Sequence, residues 1–237
     1  MVFRFLSLCS LFLFLECASH VLSPLPISEE TFSVTKQIQW IQTPIEFKLK
    51  NTSFDRNFIE LSLNEPFLTV SEVETVSKYR MASFKFEEST KRTCSNQTVD
   101  SIKKEIGKII IQGKLTGKNC ESNYQVTFSA KSDTEIEFKI TVADETLNRI
   151  QLIYGSHPEE KFFGLGEQFT YDEFKGKKPF FFTEEQGIGR GDQPITAGAN
   201  LLAGAGGNAY TTYAPIPHYI TSENRSVFFE NSGYGEV

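Results

Sequence analysis

Residues 45–50, Ile45-Glu46-Phe47-Lys48-Leu49-Lys50, alternate apolar and charged side chains without a break, and residues 58–63, Phe58-Ile59-Glu60-Leu61-Ser62-Leu63, repeat the pattern. Successive side chains of an extended strand point to opposite faces, so this alternation marks strands with one face in a core and one in water. Working outward, the same period of two recurs at residues 82–86, 108–115, 124–130 and 136–142. Turn-forming residues punctuate the runs: Asn64-Glu65-Pro66, Gly113, Gly117-Lys118-Asn119, Ser132-Asp133 and Gly155-Ser156-His157-Pro158. Short half-buried strands at this spacing predict an all-β sandwich or barrel and not alternating β/α units. The one helical signal in this part is Asp100 to Ile106, DSIKKEI, read as a short turn capped by Asp100.

The chain has 237 residues, room for one large all-β domain or two small ones, and its 22 Phe predict an aromatic-rich core. With 24 Lys and Arg against 30 Asp and Glu, the net charge of -6 offers no basic field to neutralise phosphates, so no nucleic-acid partner is expected. The Lys175 to Lys178 run, KGKK, reads as a solvated turn. Arg4, the apolar run Phe5 to Leu15 and the small residues at Cys17-Ala18-Ser19 predict a signal peptide over 1–19, cleaved before His20. A retained signal anchor is the alternative. After cleavage no membrane contact is expected, and the chain is predicted to be secreted or lumenal, with an extension over 20–37 and the domain over 38–237.

Cys9 and Cys17 leave with the leader. Cys94 and Cys120 remain, and in an oxidising compartment they predict one disulfide across a hairpin, contributing roughly 3 kcal/mol. Asn51, Asn96 and Asn224 each begin an N-x-[ST] sequon. Three scattered His residues predict neither a metal site nor a cofactor.

The C-terminal third reads differently. Phe163-Gly164-Leu165-Gly166-Glu167-Gln168 places two glycines around a leucine, which permits a tight bend and close backbone approach after a strand. Glu184-Glu185-Gln186-Gly187-Ile188-Gly189-Arg190-Gly191-Asp192-Gln193 follows. Periodicity then fades from Gly187 to Tyr213, a length that points to a functional loop or to disorder. Gly-rich Ala203 to Gly207 lacks the Lys-[ST] of a phosphate loop, and Arg190-Gly191-Asp192 is too small a match to an adhesion tripeptide to carry an assignment. Strand-like text resumes at residues 218–221 and 226–230.

These blocks resemble the N-terminal, galactose mutarotase-like β-sandwich of family-31 glycoside hydrolases, in the α-glucosidase and sulfoquinovosidase branch. The resemblance is dense over 161–237 and, over 38–160, rests on strand pattern alone. It implies an antiparallel sandwich that in the family precedes a (β/α)8 barrel bearing two catalytic aspartates, whose motifs do not occur in these residues. It also implies that a sandwich loop overhangs the barrel mouth. If residues 184–193 are that loop, Gln186, Arg190 and Asp192 are the candidates for sugar contact; a salt-bridge network among Glu185, Arg190 and Asp192 is the competing reading.

The expectation is a non-catalytic domain, truncated at its C-terminal end, of a secreted retaining α-glycosidase whose partner is an α-glycoside. The chain alone should be inactive, since retention needs two carboxyl groups about 5–5.5 Å apart. The alternative is a stand-alone carbohydrate-binding sandwich. An apolar, aromatic patch facing the barrel is expected near Phe180-Phe181-Phe182.

Overall fold

Trp40 is fully buried, and the strands packed around it define the architecture. The computed structural model describes residues 26–80, 83–168, 170–181, 194–204, 206–230 and 233–237. β1 (Glu30–Ser33), β2 (Ile38–Gln42), β3 (Glu46–Asn51) and β4 (Arg56–Ser62) pair antiparallel in chain order as one sheet. β5 (Leu68–Arg80) and β6 (Ser83–Cys94) form a long hairpin. β7 (Asn96–Glu105), β8 (Lys108–Gly117), β9 (Cys120–Ala130) and β10 (Ile136–Val142) make a second four-stranded meander, and β11 (Arg149–Leu152) returns to pair with β5.

The alternation sorts the core. Phe47 and Leu49 of β3, with Ile59 and Leu61 of β4, face Ile109, Ile111, Val126 and Phe128 of the second meander. The Trp40 ring lies 5.0 Å from Phe47 and 6.5 Å from Phe128, joining the two sheets. All strand pairs are antiparallel, so this is the all-β sandwich that the patterning and the resemblance imply. Ile45, in phase with Phe47, is nevertheless exposed, because it sits in the turn that Thr43 closes onto the Glu46 carbonyl at 2.9 Å.

Four local readings change. Of the segment read as a helical turn at Asp100 to Ile106, residues 100–105 are the second half of β7, their pattern shifted out of phase by a bulge between Val99 and Ser101, and Ile106 is in the turn that follows. Gly113 lies inside β8 opposite that bulge, where a Cβ would collide with the Thr98 carbonyl; it serves close approach and not a turn. The sheet already begins at Glu30, ahead of the boundary at 38, in a short and mostly exposed strand with little patterning. The stretch from Gly187 to Tyr213 contains a helix, α1 (Pro194–Ala203), opened by proline and closed by Gly204 at φ 67°.

Cys94 and Cys120 form a disulfide with Cα atoms 5.3 Å apart, at the end of β6 and the start of β9. The loop it closes holds the β7–β8 hairpin, as expected.

Candidate functional site

A smaller second layer follows the sandwich. β12 (Phe162–Gly166) pairs with β14 (Pro215–Thr221), which pairs with β15 (Ser226–Phe228). β13 (Phe180–Phe181) pairs with β16 (Gly235–Glu236).

The glycine motif builds the bend at the end of β12. Gly164, Leu165 and Gly166 have φ of 117°, 65° and 87°, and the register against β14 shifts between the two glycines. A Cβ on Gly166 would strike the Ala214 carbonyl, and one on Gly164 would come within 2.8 Å of the His218 carbonyl. Leu165 holds a left-handed conformation that costs about 1–2 kcal/mol, offset by burying its side chain against Phe174 and Tyr219. Gln168 Nε2 donates to the Leu165 carbonyl at 3.0 Å, so the amide serves the bend itself. The Glu167 backbone is held at both ends, its N–H donating to Ala214 and its carbonyl accepting from Thr212 Oγ1 at 2.6 Å, while the residue stays exposed.

A buried ion pair holds this layer to the sandwich. Arg225, in the β14–β15 turn, donates from Nε and Nη2 to the two oxygens of Glu160 at 2.8 and 2.6 Å, and from Nη1 to the Gly155 carbonyl at 3.2 Å. The Gly155 N–H donates to the Glu60 carbonyl of β4, so the clamp reaches the first sheet. Glu160 is 1% exposed. Burial alone would push its carboxyl up, but the Arg225 guanidinium and hydrogen bonds from Thr221 and the His157 N–H together outweigh that and lower it. The Arg225 guanidinium also lies 5.9 Å from the Tyr154 ring centre, and the Tyr154 hydroxyl meets that of Tyr219. Burial raises both phenols.

The β12–β14–β15 sheet has a buried inner face and an outer face rich in exposed apolar side chains. Tyr219, Phe162 and Val227 point inward with Leu165. Ile216, His218 and Ile220 alternate with them on β14, and Phe228 stands opposite His218 with ring centres 6.2 Å apart. Ile216, Ile220 and Phe228 are exposed, Phe228 by 58%. An antiparallel sheet with one solvated face carries polar side chains there; here His218 and Ser226 share that face with three exposed apolar residues. Helix α1 adds Ile195, Leu201 (82% exposed) and Leu202 to the exposed apolar surface. Phe180 instead is half-buried among aromatics, 6.1 Å from Tyr210 and 5.9 Å from Tyr234. Among the described residues, the outer sheet face and α1 each expose several apolar side chains, while the side chains of Phe181 and Phe182 lie outside the described residues.

Gln186, Arg190 and Asp192 also lie outside the described residues, between β13 and α1. His218 Nε2 is 2.8 Å from Ser226 Oγ, and the His157 N–H donates to Glu160, so both histidines have local partners. Lys175 donates to the His157 carbonyl, and Lys177 lies 5.0 Å above the Tyr171 ring, so the KGKK turn packs as well as solvates. A shallow cleft of about 220 Å³ opens beside Ile45, Glu60 and Tyr154. Among the described residues no group of three His, Cys, Asp or Glu could hold a metal, and no helix is long and apolar enough to cross a membrane. Sequence reasoning missed Glu160 and Arg225; a charged pair 65 residues apart leaves no periodic signal.

No protein-family model matches the chain. Over 116 residues, 48% of its length, the chain is 32% identical to a sulfoquinovosidase of Escherichia coli, of which this covers 17%. Over 97 residues it is 33% identical to a sulfoquinovosidase of Agrobacterium fabrum, covering 40% of the chain and 15% of that protein. A solved GH31 sulfoquinovosidase from E. rectale, in complex with an aza-sugar inhibitor, superposes with a TM-score of 0.70 at 19% identity, over 84% of this chain and 28% of that one. The chain thus has the fold of part of a GH31 enzyme, resembles sulfoquinovosidases in sequence, and spans under a third of each relative's length.

Proposed function

We propose that this chain is the non-catalytic β-sandwich of a secreted retaining α-glycosidase of the sulfoquinovosidase and α-glucosidase kind. Its outer apolar face packs on a (β/α)8 barrel, and the segment between β13 and α1 lends Gln186, Arg190 and Asp192 to the sugar pocket. The observation that carries the reading is the exposure of Ile216, Ile220 and Phe228 on the outer face of the β12–β14–β15 sheet, in a chain similar to short portions of two sulfoquinovosidases. A sheet buried on one side only has no need of Ile216, Ile220 and Phe228 on the other. Amides, guanidinium and carboxylate groups suit sugar hydroxyls because they bond them directionally. The barrel supplies the nucleophile and the acid/base, and the sandwich shapes the rim. The predicted leader and the buried disulfide support a secretory route.

The test begins with the size of the native polypeptide, read with an antibody to this segment. A much larger product is then assayed on α-glucoside and sulfoquinovoside substrates. Hydrolysis with retention, with KM raised in Gln186→Ala, Arg190→Ala or Asp192→Ala, supports the reading. A native product no larger than this chain that binds glycans without cleaving them would replace it with a stand-alone carbohydrate-binding module.

A further inference from the structure

We propose that Asn96 and Asn224, but not Asn51, carry N-linked glycans in the mature protein. The inference rests on the secretory route proposed above. In the transfer, the acceptor Nδ2 attacks C1 of the reducing-end sugar of a lipid-linked oligosaccharide diphosphate. The C1–O bond to the diphosphate breaks, the amide gives up one proton, and the lipid diphosphate leaves. The nitrogen that takes the sugar must therefore be one the folded chain can leave in solvent.

All three sequons have the same form, and the fold separates them. Asn51, at the end of β3, is 3% exposed. Its Nδ2 donates to the Asp133 carbonyl at 2.7 Å, and its Oδ1 accepts the Ser53 and Phe54 N–H groups at 2.9 and 3.0 Å. It closes the β3–β4 turn and ties it to the β9–β10 loop across the sandwich. A sugar on that nitrogen would remove the Asp133 bond and force the two loops apart. Asn96 opens β7, the edge strand of its sheet; Gln97 beside it points into the core, so alternation turns Asn96 outward, and it is exposed. Asn224 is exposed at the tip of the β14–β15 turn with φ 59°, while its neighbours point away, Arg225 to Glu160 and Glu223 to Arg56. A glycan there keeps the tip of the hairpin in solvent, so the rest of the polypeptide must cover the flat of the β12–β14–β15 sheet and leave that end free.

The test uses the full-length polypeptide made in a glycosylating eukaryotic host. Enzymatic deglycosylation in water enriched in oxygen-18 converts each glycosylated Asn to an Asp carrying one heavy oxygen, read by peptide mass. Label at 96 and 224 with unconverted Asn51 is expected. Asn96→Gln and Asn224→Asp should each remove one mobility step. Ser53→Ala destroys the first sequon without touching the Asn51 side chain, and should change neither mobility nor Tm. Label at Asn51 in the folded, disulfide-bonded protein overturns the proposal, as does an unlabelled Asn96 or Asn224 in protein whose leader has been cleaved. An uncleaved leader with no label at any sequon rejects the secretory route, and the proposal with it.

Discussion

Glu160 and Arg225 show how much one pair of side chains does here, because each satisfies the other in a place where neither could be buried alone. Removing one partner strands a buried charge, a loss of about 3–5 kcal/mol. Arg225→Met should lower the urea unfolding midpoint accordingly, whereas Glu160→Leu combined with Arg225→Met should recover most of the loss; an additive double mutant would contradict a coupled pair. The pH dependence has a definite sign. The Glu160 carboxyl titrates lower in the folded chain than in the unfolded one, so its contribution is present above the ordinary glutamate value of about 4.3 and is lost as pH falls through the folded value. Glu160→Gln should flatten the acid limb of the stability curve, measured by urea midpoints from pH 7 down to acid. Backbone geometry makes a second contrast at this scale. Gly166 and Gly107 both have positive φ, but a Cβ at Gly166 meets the β14 backbone and one at Gly107 meets nothing within 4 Å. Gly107→Ala should cost about 1–2 kcal/mol, the left-handed penalty alone, and Gly166→Ala clearly more, as read by thermal unfolding.

Among the elements, the β7–β8 hairpin depends on both its ladder and its staple. The disulfide spans 26 residues of separation, for which chain entropy gives about 3.5 kcal/mol. Cys94→Ala with Cys120→Ala should lower stability by about that amount, followed by the fluorescence of Trp40, the sole tryptophan and fully buried. A variant of unchanged stability would mean that the ladder alone holds the two sheets. The same hairpin marks where patterning was legible and where it was not. Residues 108–115 alternate cleanly and form β8. DSIKKEI mimicked a helical turn because the Val99–Ser101 bulge shifts the inward phase by one residue, and a bulge is set by the partner strand. Helix α1 was missed for a related reason. Thr196 is its one buried residue, so it carries no apolar stripe for a periodic reading to find.

For the whole molecule the decisive property is a sheet whose outer face exposes Ile216, Ile220 and Phe228. Leu201→Lys and Phe228→Lys alter exposed side chains, so each should shift the stability of this chain by no more than about 0.5 kcal/mol. Each should also reduce binding of a hydrophobic dye and self-association in light scattering. In a longer polypeptide, where the face is covered, the same changes should instead destabilise; indifference in both settings would rule out a packing role. The sequence by itself determined the sandwich, the kink at Gly164-Leu165-Gly166 and the resemblance to sulfoquinovosidase-like GH31 enzymes, and it pointed to the Cys94–Cys120 pairing. Those are short-range properties: a period of two, and glycines where a side chain would collide. Only the tertiary structure decided the Glu160–Arg225 clamp, the location of the exposed apolar residues on the outer sheet face and which of three sequons is buried inside the fold. Each depends on residues far apart in the chain meeting across a sheet, and that meeting is set by packing, to which local pattern is blind.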